Sequence, residues 1–377
     1  MTRLRVAYVA HSVDPRRGGM ELVSARLIER LAIEVDLEVV AGDGLETLPV
    51  GVRRTRIPIP DSPSLARLVI FDAIATVRLR AVRRRVDLVH SCGVVAHGRS
   101  DLVTVHLSHA SVVEAQGMFR PPGRTGIRGA AGALRRRLAL GLEHWGLRPG
   151  RVRCVAAVSR ADEVDLAARY PSLPVRLVEN GIDLDQFLAI DRTTRPDGEP
   201  LRVVVVAGDF ERKGVGLVLE ALAKAPSCVV RVAGDGDLTS MRLRASHLGV
   251  AERVEFLGHR ADVAHEYAWA DVVLSCSVHE SFGLSLVEGA ASGCAVVSTD
   301  TGAAQDLCRD EGAGAGGIVV ERDPSSVAAA LESLSRDPHW CRAMGANARQ
   351  RASRFTWDAM AARTARIYAQ LAQGEIA

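Results

Sequence analysis

The sequence of 377 residues lacks any long apolar run. No stretch approaches the ~18 apolar residues that a membrane-spanning helix needs. The amino-terminal segment MTRLRVAYVAHS has an apolar core too short for a signal peptide and no small-residue cleavage site, so we interpret it as a first buried strand. We therefore expect a cytosolic protein of two domains, because one domain usually takes ~100–200 residues.

Cysteine, aromatic residues and lysine are all scarce. The seven cysteines form an odd count with no CxxC pair, which argues against a disulfide framework and against a zinc site. Aromatic residues make up only 4% of the chain, and no basic run alternates with them, so nucleic-acid binding gains little support. Lys213 and Lys224 are the only lysines among 48 basic residues, so each is a candidate for a specific role.

The net charge of +3 hides two halves of opposite sign. Residues 1–180 hold 28 Arg against 18 Asp and Glu, a formal charge of +10, whereas residues 181–377 hold 20 basic and 27 acidic residues, a formal charge of −7. Opposite charges favour two domains with different partners. The basic half suits an anionic acceptor or an anionic membrane surface, and the alternative is a solvated surface rich in Arg.

Short β-branched runs alternate with helical patterns along both halves. The predicted strands are Arg5–Ala10, Leu37–Ala41, Leu88–His90, Leu102–His106, Val152–Val158, Val175–Glu179, Arg202–Ala207, Cys228–Ala233, Arg253–Leu257, Val272–Ser275, Ala295–Thr299 and Gly317–Val320. Such alternation predicts parallel sheets covered on both faces. The fold class is therefore α/β, with two doubly wound domains in tandem.

The domain boundaries follow from the junction between the two runs of strands. We place an N-terminal domain at residues 1–180 and a C-terminal domain at 181–354. A last helical pattern lies in 355–377, beyond the final predicted strand. That helix either completes the second domain or returns to the first, and periodicity alone does not choose between them.

A glycine pair follows the first predicted strand and opens the helix Met20–Ile33. Gly18 and Gly19 would let a ligand approach the backbone at a helix N-terminus, where free N–H groups favour anions. The alternative is a tight turn without a ligand. The pair is not GxGxxG, and no acidic residue ends the second strand to hold a ribose, which weakens an NAD-dependent oxidoreductase.

Two further features of the first half are candidates for function. His106 stands at a predicted strand end with His109 close behind, and a histidine there is able to donate to a sugar hydroxyl, to act as a base, or to serve structure alone. The segment 123–145 carries five Arg beside apolar residues. It predicts an amphipathic helix that either rests on anionic lipid, peripheral at the inner face of the membrane, or docks on the protein with a basic outer face.

Two adjacent cations, Arg212 and Lys213, follow the strand that ends at Ala207 and precede a helix that starts after Gly214. They are placed to clamp a diphosphate, with Lys as a point charge and Arg as a planar fork. The alternative is a solvated loop with a capping glycine, and the scarcity of lysine favours function. The acidic turn Gly234–Asp237 is a weak metal signal, so we predict no metal site.

Glu280 and Glu288 are separated by seven residues, in a segment that leads from a strand into a helix. Glu280 would lie at the carboxyl end of the sheet, where open α/β sheets bind ligands. The amides at the helix start would suit a phosphate or sugar hydroxyls, and Glu288, about one turn in, would accept hydrogen bonds from a ribose. Two carboxylates also suit a glycosidase, but one strand–helix unit flanks a nucleotide better than a glycosidic bond.

Taken in order, these segments resemble the family 4 retaining glycosyltransferases of GT-B fold. The motifs that carry the resemblance are Gly18-Gly19, Asn180-Gly181-Ile182-Asp183…Phe187, Lys213-Gly214, Gly234-Asp235-Gly236, Glu280…Glu288 and Ser292-Gly293-Cys294-Ala295-Val296-Val297. The resemblance implies two Rossmann-like doubly wound domains facing a cleft, with the donor in the C-terminal domain and the acceptor in the N-terminal one. It also implies retention of anomeric configuration with no required metal and no cofactor.

The resemblance also implies roles for single residues. Arg212 and Lys213 would neutralise the donor diphosphate, Glu280 would contact the donor sugar, and Glu288 the ribose. Gly19 would approach the diphosphate, His106 would sit by the transferred sugar, and Arg260 would lie near the base. The remaining donor-binding positions are Gly208, Gly234, Ser281, Phe282, Gly283 and Leu284, and the catalytic set is Glu280, His106, Lys213 and Arg212.

The expected activity is transfer of a sugar from a nucleotide-diphosphate sugar, with a UDP-sugar favoured, to a hydroxyl of a small-molecule, glycan or lipid acceptor. The adjacent cation pair departs from the spaced pair of most members and resembles some lipopolysaccharide-core glucosyltransferases. Two alternatives stay open: a sugar-nucleotide 2-epimerase, which shares the two-domain architecture, and a non-catalytic protein that binds a nucleotide-sugar.

Overall fold

The computed structural model describes residues 3–59, 64–93, 98–118, 127–188, 193, 195–196, 198–260, 262–310, 312 and 314–376, with the backbone alone for 64–68, 115–118 and 127–136. The chain forms two compact units. Unit 1 comprises Met1–Gly181 and Trp357–Ala377, and unit 2 comprises Ile182–Thr356. Each unit is built around one sheet whose paired strands all run parallel.

Unit 1 holds a seven-stranded sheet in the order β3-β2-β1-β4-β5-β6-β7. Its strands are β1 Arg5–Ser12, β2 Asp36–Asp43, β3 Arg53–Arg56, β4 Leu88–Cys92, β5 Ser100–Val105, β6 Val152–Ala157 and β7 Val175–Leu177. Its helices are α1 Gly19–Glu34, α2 Ser64–Val82, α3 His109–Met118, α4 Ile127–Gly146, α5 Arg160–Arg169 and the last helix of the chain, α14 Trp357–Gln373. The central strands are buried along their whole length, because helices cover both faces of the sheet.

The last helix, α14, belongs to unit 1 and packs beside α1. Its Tyr368 hydroxyl lies 2.7 Å from Nδ1 of the buried His90 on β4, whose Nε2 lies 2.7 Å from Oγ1 of Thr104 on β5. Burial lowers the pKa of His90 to about 3, so the ring is neutral near pH 7. This network ties the end of the chain to the centre of the first sheet.

Unit 2 holds a six-stranded sheet in the order β10-β9-β8-β11-β12-β13. Its strands are β8 Leu201–Val206, β9 Cys228–Ala233, β10 Val254–Gly258, β11 Val272–Ser275, β12 Ala295–Thr299 and β13 Gly317–Val320. Its helices are α6 Leu184–Leu188, α7 Val215–Lys224, α8 Leu238–His247, α9 Ala264–Trp269, α10 Leu284–Ala291, α11 Ala304–Cys308, α12 Pro324–Arg336 and α13 Pro338–Ala352. Helices α7 and α12 pack on the apolar core formed by β8, β9 and β11.

The predicted α/β class is confirmed by these two parallel sheets. The twelve predicted strands are present, with ends that differ by two residues at most. The strand β3 was not predicted. The strand lies at the edge of the sheet, and three of its four residues are exposed. Its sequence, RRTR, therefore lacks the apolar residues by which the other strands were predicted.

Each sheet has one point where the strand order reverses. In unit 1 the reversal lies between β1 and β4, and in unit 2 between β8 and β11. Ligands of open α/β sheets bind outside the carboxyl ends of the strands at this topological switch point. The loops that follow these four strands are therefore the places to examine for a site.

Two further observations concern the described part of the chain. All seven cysteines are buried free thiols. Among the residues that the structure describes, no helix combines the length and the apolar character needed to cross a membrane.

Close backbone packing makes glycine obligatory at Gly234, which has φ 143° and donates its amide to the Gly258 carbonyl at 2.8 Å. A Cβ at Gly234 would lie 1.7 Å from the carbonyl oxygen of Ala207. At Gly249, φ is 68° but no atom lies within 4 Å of the added Cβ. We expect Gly234→Ala to lower the free energy of unfolding by about 3 kcal/mol or more, and Gly249→Ala by only about 1 kcal/mol, because only the first adds a clash to backbone strain.

Urea unfolding of the two variants measures this difference. Equal losses of stability in Gly234→Ala and Gly249→Ala would show that the contact with Ala207 does not limit residue choice at this turn.

Candidate active site

The loop between β8 and α7 is held by its own hydrogen bonds. Oδ1 of Asp209 accepts from the Arg212 amide at 3.1 Å, and the Asp209 carbonyl accepts from the Lys213 amide at 2.9 Å. Gly214 ends the loop at φ 73°, where a Cβ would lie 2.2 Å from the carbonyl oxygen of Cys276. Glycine thus lets this loop press against the carboxyl end of β11.

The structure brings together three predicted site residues at the switch point of unit 2. Oε1 of Glu280 accepts from Nζ of Lys213 at 2.7 Å and from Nη1 of Arg212 at 3.1 Å. It also accepts from Oγ of Ser277 at 2.8 Å. Arg212 is fixed further, because Nη1 donates to the carbonyl of His279 at 3.1 Å. One carboxylate oxygen therefore joins the loop after β8 to the loop after β11.

The charges in this cluster do not cancel. Burial raises the pKa of Glu280, but the neighbouring Lys213 and Arg212 outweigh burial, so the net pKa lies below its ordinary value and the carboxyl is ionised at neutral pH. Two cations against one carboxylate leave one formal positive charge. The cluster is therefore an ordered site with residual attraction for an anion.

Glu288 has a different environment on α10. Its Oε2 lies 3.2 Å from the hydroxyl of the buried Tyr267, which also lies 2.9 Å from the Ser285 carbonyl oxygen, so the one hydroxyl proton is shared between two acceptors. Burial raises the pKa of Glu288 to about 7, and the Tyr267 hydrogen bond and the charge of Lys213 counteract burial only in part. Glu288 and Glu280 thus have pKa values shifted in opposite directions.

The turn into α10 combines packing with open space. The Phe282 ring packs edge-on against Phe355, with centroids 5.4 Å apart, and its carbonyl accepts from the Ala303 amide at 2.9 Å. Gly283 caps the helix at φ 83°, and a Cβ there would meet nothing closer than 3.8 Å. The first amides of a helix have no intrahelical partner, so those of Gly283 and Leu284 are suited to an anionic or hydroxyl ligand.

Ser281 precedes this turn and is buried. Among the residues that the structure describes, its Oγ has no hydrogen-bond partner. A buried hydroxyl without a hydrogen bond destabilises the folded protein by about 1–3 kcal/mol. A polar ligand atom that formed a hydrogen bond with Oγ of Ser281 would remove this destabilisation.

Three other predicted donor residues are not brought into contact with Glu280 within the described part of the chain. Gly208 lines a groove of about 780 Å³ beside α7 and α8, which neither Lys213 nor Glu280 lines. Arg260 is exposed, with Nε 3.9 Å from Oε1 of Glu266. Gly234 has the backbone role described above. The neighbouring Asp235 lies 3.1 Å from the His259 ring.

In unit 1 the predicted residues lie around the other switch point. Gly19 is the first residue of α1, with Gly18 as the N-cap. Met20 and His106 line the same apolar cavity of about 180 Å³, together with His11 and Cys92. His109 donates its amide to Oε2 of Glu143 at 2.6 Å, an anchoring role for α3.

His106 is neutral near pH 7, because burial lowers its pKa to about 4. Its Nε2 is buried without a hydrogen-bond partner among the described residues. A neutral ring nitrogen in this state is able to accept a hydrogen bond from a hydroxyl that enters the cavity.

The predicted amphipathic segment 123–145 lies partly outside the described residues, which include neither 123–126 nor the side chains of 127–136. Helix α4 covers its remainder. Within that remainder Ala139 is buried, Leu138 is exposed, and Trp145 lies beneath the guanidinium of Arg151. Contact of this segment with a membrane stays a prediction.

Sequence reasoning missed three residues that shape the site of unit 2: Asp209, Tyr267 and Ser277. Ser277 stands three residues before Glu280, so the spacing could have suggested it. Asp209 follows the β8 strand directly, as a turn-forming residue often does. Tyr267 lies on α9, and no local signal links it with Glu288. Among the described residues, no group of three or more His, Cys, Asp or Glu is arranged to hold a metal ion.

The raised pKa of Glu288 makes a pH-dependent contribution to stability. Because its pKa of about 7 in the folded protein exceeds the ordinary ~4.3 of an unfolded chain, the folded state binds more protons between these values. Stability should therefore fall as pH rises from ~4.3 through 7. Across this pH range, we expect the free energy of unfolding of the wild type to fall by about 2–3 kcal/mol more than that of Glu288→Gln. Urea unfolding of both proteins at several pH values measures the difference.

If the free energies of unfolding of the wild type and Glu288→Gln change with pH in parallel, this titration is contradicted and the pKa of Glu288 lies near its ordinary value.

Two protein-family models match most of the sequence. Residues 17–186 match the model described as Glycosyltransferase Family 4, and residues 187–351 match the model described as Glycosyl transferases group 1. A D-inositol 3-phosphate glycosyltransferase of Corynebacterium kroppenstedtii is 36% identical over 56% of this chain and 51% of its own length. The chain thus spans about half the length of that relative.

A second relative covers more of both chains. The phosphatidyl-myo-inositol mannosyltransferase of Mycolicibacterium smegmatis is 29% identical over 83% of this chain and 78% of its own length. Among solved structures, the sucrose-phosphate synthase of Thermosynechococcus elongatus has a TM-score of 0.75 at 22% identity, covering 99% of this chain and 100% of that one. Anabaena HepE in complex with UDP-glucose has a TM-score of 0.65 at 19% identity, covering 99% of each chain.

These structures establish the fold, and the two family models together run from residue 17 to residue 351 without a gap. The chain therefore belongs to the family 4 glycosyltransferases, described also as glycosyl transferases group 1, and has their GT-B fold.

Proposed function

We propose that this protein transfers a sugar from a nucleotide-diphosphate sugar to a hydroxyl of an acceptor, with retention of the anomeric configuration. The observation that carries the proposal is the shared oxygen of Glu280, which accepts from Lys213 at 2.7 Å and from Arg212 at 3.1 Å. This cluster lies at the switch point of a doubly wound sheet, where such folds bind nucleotides.

The cluster suits the electrostatic demand of the reaction. When the nucleotide diphosphate leaves, negative charge grows on its oxygens, and fixed cations stabilise that charge without rearranging. Lys213 and Arg212 supply two such cations, already oriented by Glu280. The amides at the start of α10 add partial positive charge at the same carboxyl end of the sheet.

The donor-sugar and ribose roles are divided between the two glutamates. Glu280, ionised and hydrogen-bonded, is proposed to contact the transferred sugar. Glu288 is proposed to accept from the ribose hydroxyls, with Tyr267 holding its Oε2 in place. We favour a UDP-sugar, a choice that the complex of HepE with UDP-glucose supports.

The acceptor is proposed to bind to unit 1. The names of the two relatives refer to inositol 3-phosphate and to phosphatidyl-myo-inositol, and the basic first half of the chain, with a formal charge of +10 over residues 1–180, is suited to such an anionic acceptor. The cavity beside His106 offers a neutral ring nitrogen as a hydrogen-bond partner for a hydroxyl. An acceptor that carries both a hydroxyl and a phosphate fits these features.

The two lysines allow a matched test of the charge role. Lys213 contacts Glu280, whereas the exposed Lys224 donates to Ser325 at 2.7 Å. We expect Lys213→Ala to lower kcat by about a hundredfold or more, since a cation aimed at developing charge contributes several kcal/mol, and Lys224→Ala to leave kcat unchanged. Turnover of a UDP-sugar with an inositol phosphate acceptor, and NMR of the product anomer, are the measurements.

Glu280→Gln should also abolish most transfer while circular dichroism and the unfolding midpoint stay near those of the wild type.

If Lys213→Ala turns over like Lys224→Ala, leaving-group stabilisation by Lys213 is wrong. A product that is an epimerised nucleotide-sugar formed without acceptor would establish the 2-epimerase alternative instead. Binding of the nucleotide without transfer or donor hydrolysis would establish the non-catalytic alternative.

A further inference from the structure

Unit 1 contains a second cavity, of about 330 Å³, at the amino ends of β5 and β6, whereas His106 follows the carboxyl end of β5. Four arginines line it, together with the first residues of β5 and β6: Arg83, Arg99, Ser100, Asp101, Gly150, Arg151, Val152 and Arg153. The strand β5 spans six residues, so about 17 Å separate this cavity from the carboxyl end of the strand. The cavity is therefore distinct from the substrate site proposed above.

Backbone carbonyls hold the guanidinium groups of this arginine cavity. Nε of Arg83 donates to the Arg99 carbonyl at 3.0 Å, and Nε of Arg99 donates to the Gly150 carbonyl at 2.9 Å. Nη2 of Arg153 donates to the carbonyls of Leu371 at 3.0 Å and Ile376 at 2.6 Å. A guanidinium carries five N–H donors, so these contacts fix each group while using only part of its donor capacity.

The fourth guanidinium, that of Arg151, lies over the Trp145 ring with its carbon 3.2 Å from the ring centroid. Stacking on an aromatic face orients the planar group. All four arginines are thus held before any ligand arrives, which reduces the entropy that binding must overcome.

The charge of the cavity is strongly unbalanced. Asp101 is the one carboxylate among its lining residues. Its Oδ2 accepts from the Val89 amide at 2.8 Å and lies 3.4 Å from Nη2 of Arg83, and its Oδ1 lies 3.6 Å from Nη1 of Arg153. Four cations against one carboxylate leave a formal charge of +3, which favours an anion with more than one negative charge.

We propose that the arginine cavity is a binding site for a phosphate-bearing ligand. Guanidinium groups bind phosphate through paired N–H···O contacts, and the volume admits a diphosphate or a phosphorylated head group. The ligand chemistry is shared by two sources, a soluble phosphate ester and the head group of an anionic phospholipid. The proposal does not depend on the transferase activity, because its residues lie apart from Lys213, Glu280 and His106.

The experiment compares two variants with the same change of charge. Arg99→Gln with Arg151→Gln removes two guanidinium groups from the cavity, and Arg78→Gln with Arg242→Gln removes two from exposed helix surfaces elsewhere. Both pairs are made in a Lys213→Ala background, which weakens pyrophosphate binding at the candidate donor site. The single variant Arg99→Gln serves as a second test, because loss of Arg151 also removes its contact with Trp145.

Two probes distinguish the sources. Isothermal titration with pyrophosphate measures the soluble anion, and co-sedimentation with phosphatidylcholine vesicles, with and without phosphatidylglycerol, measures the head group. We expect the cavity variant to bind at least one probe about tenfold or more weakly than the surface variant, with the single Arg99→Gln variant in between. We also expect this binding to weaken as salt is added.

If the cavity variant binds only pyrophosphate more weakly than the surface variant, the ligand is a soluble phosphate ester. If it binds only the vesicles containing phosphatidylglycerol more weakly, the ligand is a lipid head group. Equal binding of both probes by the cavity and surface variants would overturn the proposal, as would failure of the parent protein to bind either probe. Unfolding midpoints measured without ligand show whether a weak binder is still folded.

Discussion

The candidate site of unit 2 depends on one carboxylate oxygen. Oε1 of Glu280 accepts hydrogen bonds from the side chains of Lys213, Arg212 and Ser277, each with a donor–acceptor distance of 3.1 Å or less. These residues come from loops that follow two neighbouring strands, β8 and β11, which are far apart along the chain. Neither loop would position its charges alone, because lysine and arginine side chains lose considerable rotamer entropy when they are fixed. Their shared contact with Glu280 provides the fixed geometry.

Close backbone packing supports that contact. Gly214 allows the cationic loop to approach the carbonyl of Cys276, and Gly234 allows the next loop to approach the carbonyl of Ala207. In both places a side chain would collide with backbone atoms, which cannot move aside as the end of a flexible side chain can. The glycines of the family motifs at these two positions therefore have a packing role, whatever ligand the loops bind.

The sequence predicted the alternation of strands and helices well, because buried parallel strands are nearly continuous runs of β-branched residues. It also identified Lys213 and Glu280 as separate candidates. It could not predict their contact, because the pairing of β8 with β11 is a non-local event. The arginine cavity was missed for the same reason, since Arg83, Arg99 and Arg151 come from three separate segments. The raised pKa of Glu288 was equally hidden, because it follows from the burial of this carboxyl in the folded protein.

In the candidate site of unit 2, Glu280 orients two cations, Lys213 and Arg212, whose combined charge exceeds its own. The affinity for UDP of the Glu280→Gln variant, measured by isothermal titration, tests this most directly. Removal of the Glu280 carboxylate leaves Lys213 and Arg212 without a compensating charge, while glutamine still accepts their hydrogen bonds. We therefore expect UDP to bind to Glu280→Gln at least as tightly as to the wild type. UDP binding about tenfold weaker in Glu280→Gln, a loss of ~1.4 kcal/mol, would contradict it.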